Sequence, residues 1–184
     1  MLSNQEAYAL IREKKIFINP PIVNLAHTKY RFEMESVEQR NLKFFVDMEV
    51  KAETIKIKLS VGEYKTWKTS HNHRSKSVGN IGLLRVDFGG KHENPPRANQ
   101  HVPNWIAQFA GKYFERHEPH VHIYVETYST QRLKWAVPLE VFEFDGKTFS
   151  VRAITSIDEL ELVTREFETI INAQNGIRFM KNLF

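Results

Sequence analysis

The chain has 184 residues, of which 41% are apolar and 26% charged, with a formal charge of +4 and no cysteine. That balance excludes a disordered or fibrous chain and fits one globular domain spanning residues 1–184, large enough to bury a core. The missing cysteines exclude disulfides and thiolate chemistry.

The predicted elements run as follows. Ser3 caps a helix to about Lys15, with Tyr8, Leu10 and Ile11 on its inner face. Asn19-Pro20-Pro21 ends it in an extended connection. From Lys29 the pattern turns to strand: Tyr30, Phe32 and Met34 alternate with Arg31, Glu33 and Glu35. Leu42 to Val50 and Thr54 to Ser60 are expected as a hairpin joined near Lys51-Ala52-Glu53, and Glu63 to Thr69 as a fourth strand carrying Tyr64 and Trp67. Ser70 to Asn80 is polar and basic and is expected as a loop. Ile81 to Phe88 is the next strand, closed by Gly89-Gly90. Asn104 is expected to cap an aromatic helix over Trp105 to Arg116. A histidine-rich strand over 120–126 follows, with a turn near Ser129-Thr130 and a strand over Leu133 to Leu139. Phe142 to Phe144 and Thr148 to Val151 flank Asp145-Gly146, a hairpin signal. Ser156 opens the last helix, with Glu159 at the reciprocal capping position and Leu160, Val163, Phe167 and Ile170 or Ile171 inside. Asn175-Gly176 stops it before a final strand over Ile177 to Met180. The fold class is α+β: a curved, mostly antiparallel sheet with N-terminal, inserted and C-terminal helices.

Residues 120–126 read His-Val-His-Ile-Tyr-Val-Glu. On a strand, alternation puts Val121, Ile123 and Val125 on one face and His120, His122, Tyr124 and Glu126 on the other. In the strand Ile81 to Phe88, Arg85 and Asp87 share a side, so adjacency of the two strands would gather them with the histidines. Metal-independent RNA cleavage needs a base, an acid and a cation for the phosphorane charge. His120 and His122 fit the acid–base pair, Arg85 the phosphate clamp and Tyr124 a helper. A metal centre is the alternative, with His120 and His122 completed by Asp87, Glu126 or His92 as a two-histidine, one-carboxylate set. A third reading makes these histidines hydrogen-bonded structural residues. No cofactor is expected.

Lys65, Lys68, His71, His73, Arg74 and Lys76 form a basic stretch without an acidic residue. As a mobile loop it would contact phosphates or a partner, with Tyr64 and Trp67 placed to stack on bases. The charged hairpin between Glu35 and Glu53 and the aromatic helix are further docking candidates.

Leu83-Leu84-Arg85-Val86-Asp87-Phe88-Gly89-Gly90, His92-Glu93-Asn94-Pro95, Pro119-His120-Val121-His122-Ile123-Tyr124 and Lys134-Trp135-Ala136-Val137-Pro138-Leu139 together resemble a family of small bacterial and mobile-element proteins of unknown function. The resemblance extends from about Phe32 to Phe179. It departs from the pattern between Arg97 and His117, and Glu126-Thr127-Tyr128 replaces a glycine-rich end of the histidine strand. Such a resemblance implies a mobile-element setting. The expected function is therefore an anti-CRISPR-like inhibitor of a nucleic-acid-guided defence nuclease, binding the effector or its guide RNA, with RNA trimming as an accompanying step. The alternatives are a toxin-type ribonuclease using the His-x-His strand and a non-enzymatic structural or interaction protein. Met1 to Lys15 holds no apolar run of signal-peptide length, and no stretch is apolar enough to span a bilayer, so a cytoplasmic protein with no membrane partner is expected.

Overall fold

Period-two patterning between Lys29 and Phe88 builds the framework of the molecule. The computed structural model describes residues 1–56, 63–128, 132–174 and 176–180. The elements are α1 (Asn4–Arg12), β1 (Lys15–Phe17), β2 (Ile22–Val23), β3 (Lys29–Ser36), β4 (Lys43–Lys56), β5 (Glu63–Ser75), β6 (Ile81–Phe88), β7 (His92–Glu93), α2 (Asn104–Ala107), β8 (Tyr113–Phe114), β9 (His120–Ile123), β10 (Trp135–Pro138), α3 (Ile157–Ile170), β11 (Ala173–Gln174) and β12 (Arg178–Phe179). A 3-10 turn over Leu139–Val141 leaves β10. Eight strands make one sheet in the order β10-β9-β6-β5-β4-β3-β1-β11, in which only β1 and β11 run parallel. Two small pairs, β2 with β12 and β7 with β8, lie outside it. The fold is α+β, as the patterning implies.

Register gives the sheet two unlike faces. On the inner face Met48 stands opposite His71, His71 opposite Val86, and Val86 opposite Val121. Helix α3 packs here, with Thr164 and Phe167 against His71, and α1 adds Ala7 and Ile11 to the same core. Both helices start on capping boxes, Ser3 with Glu6 and Ser156 with Glu159. Each box satisfies amide N–H groups that the first helical turn leaves unpaired. On the outer face, Asp47, Asn72, Arg85 and His122 form one cross-strand row, with Arg31 at its end. The segment from His92 to Phe114 covers the β6–β9–β10 half of this face: Asn94 bonds to Ala136 on β10, and the Phe114 ring lies 4.6 Å from that of His120. The β3–β4–β5 half is left open.

Several local expectations need correction. Strand β4 runs unbroken through Lys51-Ala52-Glu53 instead of turning there, and continues to pair with β5. Residues 57–60 of the expected Thr54 to Ser60 strand, the turn at Ser129-Thr130 and Asn175 lie outside the described residues. Ser70 to Ser75 is strand, and the turn is confined to residues 76–80, where Gly79 (φ 65) and Asn80 (φ 56) supply left-handed backbone. The aromatic helix is only Asn104–Ala107, because the chain turns back at Gly111 (φ 70), whose N–H donates to Pro95 O. Asp145-Gly146 makes a tight turn held by a single bridge, Phe144 to Lys147, without flanking strands. Helix α1 stops at Arg12, so Lys15 begins β1. Among the described residues no helix is long and apolar enough to cross a membrane.

Candidate functional site

Antiparallel pairing of β6 with β9 sets Arg85 opposite His122 and Asp87 opposite His120. All four therefore share the outer face. Asp87 Oδ2 is the hub: it lies 2.8 Å from Arg85 Nη2, 3.2 Å from His122 Nε2 and 3.8 Å from His120 Nε2. Arg85 Nη2 also approaches His122 Nε2 to 2.7 Å. Two N–H groups cannot face each other at that distance, so His122 Nε2 accepts from the guanidinium and its proton sits on Nδ1. His120 Nδ1 lies 2.9 Å from Glu118 O, a bond only an N–H can make, so Nε2 of the neutral ring carries a lone pair. His92 closes the group from β7, its ring 4.4 Å from His122 and 5.9 Å from His120. Its Nε2 donates to Asn94 Oδ1 and Lys134 O.

Both strand histidines are fully buried, at 0% exposure, under Phe114 and the β7–β8 pair. Burial pushes His122 down to about 3, aided by the Arg85 charge, and lowers His120 and His92. Burial works against ionising Asp87 too, but the Arg85 guanidinium at 2.8 Å outweighs it and holds the carboxyl well below the usual range. At neutral pH the cluster is thus an aspartate–arginine ion pair flanked by neutral imidazoles. Arg85, with 28% of its side chain exposed, links the cluster to solvent. It lines an open groove of about 550 Å³ together with Lys29, Arg31, Asp47, Ser70 and Asn72.

The structure brings Arg85, Asp87, His92, His120 and His122 together. It places Tyr124 and Glu126 elsewhere. The buried Tyr124 hydroxyl donates to Leu2 O at 2.7 Å, and Glu126 pairs with His101 at 3.4 Å. The basic stretch is not a mobile loop. His71 and His73 point inward from β5, the first to Thr164 Oγ1 at 2.8 Å and the second to Phe45 O at 3.4 Å. Burial lowers His71 to about 4 and holds His73 well below its usual value. Arg74 donates to Asn80 O, and Lys76 pairs with Glu33 and lies over the Phe45 ring. Lys68 faces outward, opposite Lys51. Lys65 falls where side chains lie outside the described residues.

Two residues escaped the sequence reading. Asn94, inside the His92-Glu93-Asn94-Pro95 block, clamps the covering segment to β10 through two bonds, to Ala136 O and from Ala136 N–H, and braces the segment itself through Phe109 O. A buried amide next to proline is the only signal that could have found it. Lys15 is buried with its ammonium donating to Ile11 O, Glu13 O and Ile171 O, and nothing in Lys14-Lys15-Ile16 separates it from a surface lysine.

No curated protein and no solved structure matches this chain. The model of a family of unknown function, DUF6978, matches residues 2–172, a span that begins earlier than the resemblance at Phe32 and contains the whole cluster. The chain belongs to this family of unknown function, DUF6978.

Proposed function

We propose that the protein works by binding: it docks through the open half of its outer sheet face onto a nucleic-acid-guided defence nuclease or the guide RNA, as an anti-CRISPR-like inhibitor. One contrast carries this reading. The histidines that would perform acid–base chemistry are sealed from solvent and neutral, while the same sheet face lies open a few strands away and presents cations. A general base must come within hydrogen-bond reach of the proton it abstracts, and rings covered by Phe114 do not reach a ribose hydroxyl. The open half offers Lys29 together with Arg31 and Arg85, which Asp47 and Asp87 hold in ion pairs at the groove, with Ser70 and Asn72 as uncharged hydrogen-bonding groups. These groups suit phosphate oxygens, which attract cations and hydrogen-bond donors regardless of sequence. The Asp47 and Glu49 carboxylates in the same wall disfavour an indiscriminate polyanion sink and support a defined register on one partner. The mobile-element resemblance supplies the setting.

The test mixes the purified protein with labelled single-stranded RNA in EDTA and, separately, with a guide-loaded nuclease. Expected are intact RNA, a salt-sensitive complex with the guide or the loaded nuclease, and reduced target cleavage. A Lys29→Glu, Arg31→Gln variant should bind at least about 10-fold more weakly, since one cation is reversed and one removed, with circular dichroism checking its fold because Arg31 also pairs with Asp47. RNA cleavage in EDTA that disappears in His120→Ala would replace this reading with the ribonuclease. Failure to bind either RNA or nuclease would remove it.

A further inference from the structure

We propose that Asp87, His120 and His122 form a binding site for a first-row divalent transition metal, in which the Arg85 guanidinium is the internal cation that a metal displaces. This inference is independent of how the open face docks. One carboxylate oxygen and one nitrogen from each ring lie within 4.8 Å of one another. Hydrogen bonding fixes what those atoms are. His120 gives its Nδ1 proton to the Glu118 carbonyl, so Nε2, which makes no hydrogen bond, aims a lone pair toward the Asp87 carboxylate. His122 Nε2 is also a lone pair, accepting from Arg85. Three Lewis-basic atoms thus converge in a buried pocket, and the positive charge among them is Arg85 Nη2. Lone pairs repel one another at such range unless a cation lies between them.

The arrangement has the features of a metal site at two levels. Two imidazoles and one carboxylate are the donor set that suits zinc, cobalt, nickel or ferrous iron rather than calcium or magnesium. A ligating imidazole commonly donates its other N–H to a backbone carbonyl, which orients the ring and raises its basicity, as His120 does to Glu118. The separations fit as well. Bonds of about 2.1 Å in tetrahedral geometry put ligand atoms about 3.4 Å apart. Asp87 Oδ2 lies 3.2 Å and 3.8 Å from the two ring nitrogens.

Arg85 has somewhere to go. Its Nε makes no hydrogen bond, and the side chain already forms part of the groove wall beside Asn72, its cross-strand neighbour, and Asp47. Swinging outward by rotation about its side-chain bonds would bring the guanidinium into the groove beside the Asp47 carboxylate, which Arg31 already pairs, and free the position beside His122.

The experiment titrates metal-free full-length protein with Co2+, followed by its visible d–d absorption and by thermal denaturation. One Co2+ per chain, intense bands of a low-coordinate N/O field, displacement by Zn2+ and a raised melting temperature are expected. Arg85→Gln removes the competing cation, so it should bind Co2+ more tightly, by about 10-fold, the lower end of the effect of groups around metal ligands. His120→Gln should lose the bands, with circular dichroism checking its fold. Should His120→Gln fail to fold, Arg85→Gln decides alone, with circular dichroism checking its fold as well, because it removes the partner of the buried Asp87 carboxylate. Absence of both the bands and a melting-temperature rise in Arg85→Gln at about 100-fold excess of metal, where even a weak site stabilises measurably, overturns the proposal. So do bands that persist unchanged in folded His120→Gln, which would assign the metal to another histidine.

Discussion

Asn94 shows how one side chain fixes the roof over the histidines. Strand β10 is an edge of the large sheet, and an edge leaves backbone groups without a neighbour. The Asn94 amide takes that neighbour's part: it donates to Ala136 O, accepts from Ala136 N–H, and receives the His92 proton on the same oxygen. Asn94→Ala leaves buried backbone groups unpaired at about 1–3 kcal/mol each. Urea unfolding should show a loss of about 2–4 kcal/mol; a loss under about 1 kcal/mol would mean that water satisfies the edge instead. Lys15 makes a comparable point from the other side of the sheet. Its ammonium lies where the C-terminal carbonyls of α1 and α3 converge, and 4.8 Å from the Phe44 ring. Negative helix ends attract a cation, yet burial lowers the group to about 7, against about 10.4 in the unfolded chain. Between those values the unfolded chain binds more protons, so this residue makes stability rise with pH from about 7 to about 10. Lys15→Met should lack that rise in denaturation curves measured at pH 7, 8.5 and 10. An identical slope in wild type and variant would show that the three carbonyls keep Lys15 charged throughout.

At the scale of elements, the last strand depends on a buried carboxyl. Glu168 on α3 accepts from Ile177 N–H at 2.5 Å, and a Cβ at Gly176 would lie 2.7 Å from its Oε2. Together these seat β12 beside β2. Burial raises Glu168 to about 7, opposed by the Ile177 bond and Arg165, whereas the unfolded value is about 4.3. The folded state binds the extra proton between those values, so the contribution is complete below about pH 4 and is lost as pH climbs through 7. Wild type should lose roughly 1–3 kcal/mol from this group between pH 5 and 8, and Glu168→Gln should lose much less. Equal losses would place the titration elsewhere. Elements with apolar alternation or caps were legible: β3 from Tyr30, Phe32 and Met34, and α3 from Ser156, Glu159 and its 3.6-residue stripe. The second half of β5, Ser70 to Ser75, was not, because its inward positions are His71 and His73, whose polarity reads as loop until Thr164 and the Phe45 carbonyl supply partners from distant segments. Helix α2 was over-read because aromatic spacing cannot register that Gly111 turns the chain back over β9. The row of Arg85 and Asp87 beside His122 and His120 followed from strand parity once the two strands were neighbours. Their burial did not, since it depends on Phe114 and Asn94 arriving from the covering segment.

For the molecule as a whole, the outer sheet face is divided between a covered half and an open half, and function follows from whether that division holds in solution. The chain has eight histidines. His27 and His117 are exposed, whereas His71, His73, His120 and His122 are buried. Diethyl pyrocarbonate modifies accessible neutral imidazoles, so mass-spectrometric peptide mapping should show rapid reaction at His27 and His117. The inner-face pair His71 and His73 provides the internal standard, because exposing it requires opening the core between β5 and α3. If the covered half stays closed, His120 and His122 react no faster than that standard. Phe114→Ala removes the ring packed on His120 and should accelerate reaction at His120 and His122 while leaving His71 and His73 slow, a pattern that global destabilisation would not give. Should His120 and His122 already react in wild type at the rate of His117, the segment from His92 to Phe114 opens as a unit. The imidazoles would then be available to substrate, and acid–base chemistry would regain the argument that burial now denies it.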